Sequence, residues 1–446
     1  MQRKVLFTGY EFEQESQRGI YLYSKSLMHA TKQNNYQTGI LTQTLNSQYP
    51  DVMLTRVYQS LIDPRGKNFF NRSIKEGLKR YFKYNILKND NSLYIPNKDR
   101  MLTEENFWFL KDIDFFLNVP TFYFLSSLAQ RLPNQYSSLN ANFKDITTND
   151  ILFTTSPINI KSKSKLVQTV HDTIPMNVCM HDENATFFYK RLMACNNSDK
   201  ILSVSDFTKQ QFLEFFPQAE DRIQTVYQPI PTDDHSLYLS SLPKVQEAVL
   251  RKYKLKPKQY MYYVGAIEAR KNIHRLIQAY ELATNGDKDM PLVLSGSIDP
   301  IYAKKTKLGK YFSEAKYDQN GKPILKKHNI IKTDYVTEVE KLCLIRNARA
   351  FLFPTLNEGF GIPALEGQTL GAPVLTTNNS SLPEVVGDTA LMVNDPFNIE
   401  EIAEKIELLW NDDALCERLS KEGLINAERF SKENFKKNIG QFLQDI

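Results

Sequence analysis

Two glutamates, Glu358 and Glu366, bracket a glycine-rich turn within the stretch 350–393, AFLFPTLNEGFGIPALEGQTLGAPVLTTNNSSLPEVVGDTALMV. Carboxylates placed on either side of such a turn can converge on one polyhydroxylated ligand, because each ionised carboxylate offers only acceptors. The amides of Gly359, Phe360 and Gly361 can approach the same ligand closely, since glycine leaves the backbone uncovered. A second constellation lies earlier, in GAIEARKN, where Arg270 and Lys271 follow a strand-terminal Gly265 at the start of a helical pattern. Adjacent cations at a helix start suit an anion such as a diphosphate, on which the helix dipole and both charges act together. A solvated surface pair is the other reading, disfavoured because cations sit poorly at that end of a helix. A third candidate is His171, in LVQTVHDTIP, just past a strand end, where α/β folds bind ligands.

The elements that must hold these residues read as alternating strands and helices. Ala350–Phe353 is an apolar run fit for a buried parallel strand. Pro363 suits the first turn of the helix that follows, and the pattern places Glu366 in that first turn. Gly371 ends the helix and Ala372–Thr376 begins the next strand. Tyr260–Val264 is a strand before the Arg-Lys pair, and Ile273, Leu276, Ile277 and Tyr280 give the next helix its apolar face. At the N-terminus Lys4–Thr8 is a strand, the loop to Gly19 is polar, and a helix runs from about Ile20 to Gln33. Ile151–Thr154, Leu166–Val170 and Ile201–Ser205 continue the rhythm, with Ser205 or Asp206 capping a helix from Phe207. The polar stretch 231–241 reads as a linker, and 302–327 as a basic loop or insertion.

Gly359, Gly361 and Ala364 also fit the G-x-G-x-x-A dinucleotide fingerprint, but late in the chain rather than in an opening unit. NEGFGIPALE more closely resembles the E-x7-E signature of retaining family 4 glycosyltransferases, and SSLPEVVGDTALMV and the R-K-N segment extend the resemblance. It covers residues 150–446 well and 1–45 more thinly. It implies an α/β chain of the GT-B fold, two Rossmann-like doubly wound domains facing a central cleft. The expected division is 1–235 on the acceptor side, with a variable insertion at 45–148, then 236–430 for the nucleotide-sugar. A terminal helix, 431–446, is expected to pack back on the first domain. By resemblance, His171 and Glu358 contact the donor sugar, Arg270 and Lys271 the diphosphate, and Glu366 the ribose diol. Gly19 faces the phosphates, and Val336 borders the nucleobase. Some members carry an Arg directly after the glycine where this chain has Ala266, so phosphate binding falls to Arg270 and Lys271.

The wider context most resembles bacterial mannosyltransferases of O-antigen or capsule assembly. The expected reaction moves a hexose, mannose from GDP-mannose first, onto a glycan or lipid-linked saccharide. Neither metal nor organic cofactor is expected. UDP-hexose donors stay open, as does a non-catalytic sugar-binding subunit. A sugar-nucleotide epimerase shares the architecture too, and a phosphorylase would need a pyridoxal-binding lysine that is not located. The dipeptide His181-Asp182 raises a metal or phosphohydrolase reading, but no further ligands at suitable spacing accompany it.

Length and composition bound the rest. The chain of 446 residues is long enough for two or three domains. Its net charge of +5, from 56 basic and 51 acidic residues, does not call for a nucleic-acid partner. The four cysteines form no C-x-x-C pair and read as free thiols of a reducing cytosol. No apolar run approaches the roughly 18–20 residues of a membrane span, and the start of the chain lacks a signal-peptide pattern. A cytoplasmic enzyme is expected. The stretch 65–88, RGKNFFNRSIKEGLKRYFKYNILK, is a basic amphipathic helix. It reads either as a core helix with a solvated face or as a contact with an anionic membrane surface or a lipid-phosphate acceptor. The aromatic run 107–124 is either core or acceptor groove.

Overall fold

The computed structural model describes residues 2–8, 19–42, 93–94, 111–119, 122–129, 138–177, 183–284, 290–299, 302, 316–317, 323–325 and 329–446. The basic helix expected at 65–88, His181-Asp182 and Cys179 lie outside them. The chain divides into two compact units, Met1–Pro231 with Lys432–Ile446, and Thr232–Ser431.

In the first unit the described strands are β1 (Lys4–Phe7), β2 (Gln37–Thr42), β3 (Leu93–Tyr94), β4 (Phe115–Asn118), β5 (Leu139–Asn140), β6 (Ile151–Thr154), β7 (Ile160–Lys161), β8 (Lys165–Val170), β9 (Lys200–Ser203) and β10 (Ile223–Thr225). Eight of them form one sheet in the order β10-β9-β8-β6-β1-β2-β4-β3, and β5 pairs with β7. All pairings in the large sheet are parallel except β3 with β4. Val5, Leu6, Phe7, Ile151, Leu152 and Phe153 are fully buried, as strands covered on both faces must be. From β1 the chain steps outward to β2 and β4, whereas β6, β8, β9 and β10 step the other way. The order therefore reverses between β1 and β6.

The helix Asp206–Phe215 starts where expected, with Ser205 accepting from the Thr208 amide. The helix Gly19–Gln33 begins on Gly19 itself rather than after it. Phe115, Phe116, Leu117, Val119 and Phe122, within the aromatic run, are core residues, so that part of it is no groove. The terminal helix Lys432–Gln444 buries Phe435, Ile439, Phe442 and Leu443 in this unit. Phe442 lies 6.3 Å from the Phe153 ring, and the Asn34 amide donates to Lys436 O at 2.8 Å.

The second unit carries β11 (Met261–Val264), β12 (Leu292–Ser295), β13 (Lys316–Tyr317), β14 (Pro323–Leu325), β15 (Ile330–Asp334), β16 (Ala350–Phe353), β17 (Val374–Thr377) and β18 (Leu391–Val393). Their order is β13-β14-β15-β12-β11-β16-β17-β18. The reversal falls between β11 and β16, which pair in parallel at Met261–Ala350 and Tyr262–Phe351. Two sequence expectations change here. The stretch read as a linker holds the helix Asp234–Ser241, capped by the Asp233 side chain on the Ser236 amide. Within the expected basic loop, β13 and β14 add antiparallel strands to the sheet edge.

β11 shows how polar atoms are reconciled with burial. Tyr260, just before it, and Tyr262 and Tyr263 are fully buried. Their hydroxyls donate to Leu344 O at 2.6 Å, Ser295 Oγ at 2.8 Å and Ala266 O at 3.0 Å. Large rings thus fill the core without an orphaned hydroxyl. The loops after β11 and β12 touch so closely that a Cβ on Gly296, at φ +134°, would fall 2.0 Å from Gly265 O.

Candidate functional site

Ligands of open α/β sheets bind outside the carboxyl ends of the strands where the strand order reverses. In the second unit that point is framed by the loops after β11 and β16. Both candidate constellations stand there. Arg270 and Lys271 occupy a 3-10 turn, Ala269–Lys271. Asn272 in the left-handed region, at φ 61°, separates them from the helix Ile273–Thr284. They therefore precede the helix rather than start it, and the helix-dipole argument for them does not hold. The glycine loop leads into the helix Ile362–Thr369, whose N-cap is Gly361 at φ 98° with no side-chain cap. Pro363 is its second residue, and Glu366 sits past the first turn, buried.

What the two loops share is a compact ion cluster. Lys271 Nζ lies 2.5 Å from Glu358 Oε1, and Arg270 Nη1 lies 3.0 Å from Glu358 Oε2. Arg270 also donates to Asn357 O at 2.9 Å and pairs with Glu268 at 3.0 Å. The Thr355 hydroxyl, near Glu358 Oε1 at 3.0 Å and Arg270 O at 3.1 Å, and the Leu356 amide, on Arg270 O at 2.8 Å, tie the loops together. Lys271 sits over the Phe353 ring, 4.9 Å from its centre. The SSLPEVVGD segment supports the acid from behind. The Glu358 amide donates to Ser380 Oγ at 3.1 Å, and Ser381 Oγ donates to Glu358 O at 3.0 Å. Burial pushes the Glu358 carboxyl up, but Lys271, Arg270 and their hydrogen bonds outweigh it and hold the group below its ordinary range. Lys271 is lowered by burial, which the Glu358 charge opposes. The acid is thus a carboxylate held toward its ionised form and engaged by both cations.

Glu366 is not part of that cluster. Its Oε1 lies 2.7 Å from Lys341 Nζ, and Lys341 also pairs with Glu338 at 3.0 Å. Thr232 Oγ1 is 3.0 Å from Glu338 Oε1 and 3.5 Å from Glu366 Oε1. Sequence reasoning missed Lys341, Glu338 and Thr232. Glu338 and Lys341, three apart on a helix, read as an ordinary solvated pair, and only the packing of that helix beside Ile362–Thr369 covers most of the lysine and brings it to Glu366. Val336 is buried between β15 and the Thr337 cap, while its neighbour Tyr335 is exposed. A base contact would fall to the backbone of Val336 or to Tyr335.

Gly19 and His171 belong to the first unit. His171 follows β8 and Thr155 follows β6, beside that unit's own reversal point. His171 Nε2 lies 2.7 Å from Thr155 O, and the ring meets Tyr23 edge-on at 4.8 Å. A carbonyl can only accept, so Nε2 carries the proton and Nδ1 is left as an acceptor. Burial pushes the imidazole down to about 4, against the opposing bond to Thr155, so it is neutral at physiological pH. Among the described residues no group of three or more metal-ligating side chains converges. No helix among them is long and apolar enough to cross a membrane. Cys195, Cys343 and Cys416 are free and buried.

Residues 245–424 match the family described as glycosyl transferases group 1. That stretch is a glycosyl transferases group 1 domain. The match ends before the terminal helix and includes Arg270, Lys271, Glu358, Glu366 and Lys341. The chain is 29% identical over 333 residues to O-antigen chain mannosyltransferase B of Escherichia coli, covering 73% of this chain and 74% of that one. It is 29% identical over 276 residues to the serotype-specific mannosyltransferase WbdA of Escherichia coli, covering 60% of this chain but only 32% of WbdA. Its backbone superposes on the Anabaena HepE protein, solved with UDP and glucose, at a TM-score of 0.62 and 14% identity, over all of both chains. The fold of the chain is GT-B.

Proposed function

We propose that this glycosyltransferase moves a hexose from a nucleotide diphosphate-sugar to a growing glycan or lipid-linked saccharide, with retention of anomeric configuration. GDP-mannose is the first-choice donor, in keeping with relatives named as O-antigen mannosyltransferases. The observation that carries the reading is the Arg270–Lys271–Glu358 cluster at the strand-order reversal of the second unit. Arg270 and Lys271 meet the charge that grows on the diphosphate as the bond from the sugar C1 to the phosphate oxygen breaks. That charge is larger in the transition state than in the bound donor, so the cations favour the reaction itself and not only binding. Glu358 holds both cations in place before the donor arrives, which spares the site from reorganising during the reaction. The amides of Gly359, Phe360 and Gly361 and the uncapped start of the helix Ile362–Thr369 add donors for sugar hydroxyls or phosphate.

The acceptor oxygen bonds to C1 on the face the diphosphate leaves, and the acceptor proton passes to a departing phosphate oxygen. With two cations doing the electrostatic work, no metal ion or organic cofactor is called for. Free buried cysteines suit work in the cytoplasm.

Thermal unfolding with GDP, GDP-mannose, UDP and UDP-glucose tests this reading. A ligand that binds the folded state stabilises it by about 2.7 kcal/mol at a hundred times its dissociation constant. A rise with GDP ligands, absent in Lys271→Met, supports the donor. A rise with UDP ligands alone replaces mannose from GDP-mannose by a UDP-hexose, and no rise with any of them removes the transferase reading. An NMR spectrum of the product showing the opposite anomer to the donor would remove the retaining step.

A further inference from the structure

The carboxylate of Glu366 has a partner that the proposed chemistry does not use. Lys341 Nζ sits 2.7 Å from Glu366 Oε1 and 3.0 Å from Glu338 Oε1, and the lysine is mostly buried. The Thr232 hydroxyl has one proton and lies nearer Glu338, at 3.0 Å against 3.5 Å, so Lys341 is the main partner of Glu366 Oε1. Oε2 of Glu366 has no partner among the described residues. The two oxygens of one carboxylate are therefore unequal, one fixed by an ammonium and the other open. A carboxylate oxygen has two lone-pair sites, so Oε2 alone can accept from both hydroxyls of a vicinal diol.

We propose that Lys341 is a positioning residue, which clamps Oε1 of Glu366 so that Oε2 is aimed as the acceptor for the ribose diol of the donor. The inference rests on the donor reading above. It makes recognition of the ribose depend on a side chain that never touches it. The groups that face Glu366 are few. Lys341 and Glu338 come from the helix Glu338–Asn347, the Thr232 hydroxyl from the segment ahead of it, and the Tyr262 phenol from β11. β16 and β17 contain no titratable residue, and the helices Leu382–Val386 and Asp413–Ala427 meet this helix through Gln368. Burial pushes Glu366 up, Lys341 opposes this, and Glu338 adds to the rise, leaving the group above its ordinary range. Lys341 is raised despite its burial because two carboxylates surround it. Without the lysine, burial and Glu338 favour the protonated acid, which offers fewer acceptor sites, and only the hydrogen bond from Thr232 opposes them.

The test compares wild type, Lys341→Met, Lys341→Arg and Glu366→Gln by calorimetric titration with GDP and UDP and their 2′,3′-dideoxy forms, from pH 6 to 9. Wild type should prefer the diol-bearing nucleotide by about 10- to 100-fold, the loss expected when hydrogen bonds to a charged group go unmade. Lys341→Met should bring that ratio toward one at pH 7 and regain part of it as pH rises. Lys341→Arg should keep the ratio, and Glu366→Gln should lose it at every pH. A Lys341→Met ratio equal to wild type overturns the proposal. So does an equal loss for both nucleotides with no recovery at high pH, which is what a merely structural lysine would give. If wild type binds neither GDP nor UDP, the donor reading falls and this inference with it, whereas normal wild-type binding with an unaltered variant removes the lysine alone.

Discussion

The two units solve the same geometric problem with different chemistry. Each is a mostly parallel sheet whose order reverses once, between β1 and β6 in one and between β11 and β16 in the other. At the second reversal stand two cations and two carboxylates, locked to one another at 2.5–3.0 Å. Beside the first stand a neutral imidazole and the buried hydroxyls of Thr8 and Thr155, which have no partner among the described residues. Charges that are buried must be paired, whereas a neutral acceptor and a hydroxyl can be left open at smaller cost. The same fold position therefore carries a preorganised electrostatic site in one unit and a neutral hydrogen-bonding surface in the other. A leaving diphosphate needs the former. A ligand that presents only hydroxyls can use the latter.

Removing a charge should separate the two units most sharply. Lys271→Met leaves the buried Glu358 with Arg270 alone, and breaking a buried pair in this way typically costs about 3–5 kcal/mol. Urea unfolding should show that loss. Turnover of the donor should fall by roughly a hundredfold to a thousandfold, the scale for losing one transition-state donor. The matching change in the first unit, His171→Gln, removes no charge at pH 7 and should leave stability there within about 1 kcal/mol. Equal losses for the two variants would erase the distinction drawn between the reversal points.

Acid should reveal the neutral site next. His171 has its pKa lowered from 6.5 to about 4 by burial. The unfolded chain therefore binds a proton that the folded one refuses, so stability falls as pH falls. The contribution is complete above pH 6.5 and disappears as pH drops to about 4. Its full size is on the order of 3 kcal/mol. Glu358, also depressed, acts in the same direction but lower, since its contribution is present above the ordinary carboxylate value of 4.5 and is lost as pH falls below it. Melting midpoints of wild type and His171→Gln should lie close together at pH 7 and separate toward pH 4, the wild type falling further. Parallel curves would mean that His171 is charged in the folded state.

A backbone change comes third. Gly361 sits at φ 98°, and a Cβ there would lie 2.6 Å from Leu382 Cδ2. Gly361→Ala should cost about 1–3 kcal/mol from backbone strain, softened by the freedom of the Leu382 side chain to turn. Since Gly361 caps the helix after the glycine loop, nucleotide affinity should drop along with the melting midpoint. A variant that melts lower but binds nucleotide unchanged would show that the glycine serves the turn and not the ligand.

Much of this was written in the sequence, and the parts that were not share a cause. Strands such as AFLF and the VLF of β1 declare themselves because both sheet faces are covered and the buried residues must be apolar. The Ser205 cap and the apolar stripe of Ile273–Thr284 are equally local signals, set by one turn of chain. Glu358, Glu366, Arg270 and Lys271 were visible as residue types beside strand ends. That Glu358 would bind both cations was not visible, because the pairing joins loops 87 residues apart through the β11–β16 register. Lys341 was missed for the same reason, since its own helix explains it as a surface pair. The helix at Asp234–Ser241 was hidden by its polar composition. Its cap, Asp233, reads as loop chemistry until the helix behind it is known.

The smallest effect tests whether position or mere ion pairing matters. Arg418 and Glu422 form an i,i+4 pair at 2.9 Å on the exposed face of the helix Asp413–Ala427, in the same unit as Lys271 and Glu358. Their side chains keep 55% and 40% of their exposure, so water screens the charges in the folded and unfolded chain alike. Such pairs contribute about 0.3–0.5 kcal/mol. Glu422→Ala should therefore shift unfolding by no more than that and leave nucleotide affinity untouched. The contrast with Lys271→Met then isolates burial at the strand-order reversal, since both variants delete one partner of one ion pair. If Glu422→Ala instead cost several kcal/mol, the high price of breaking the Lys271–Glu358 pair would say nothing special about where that pair stands.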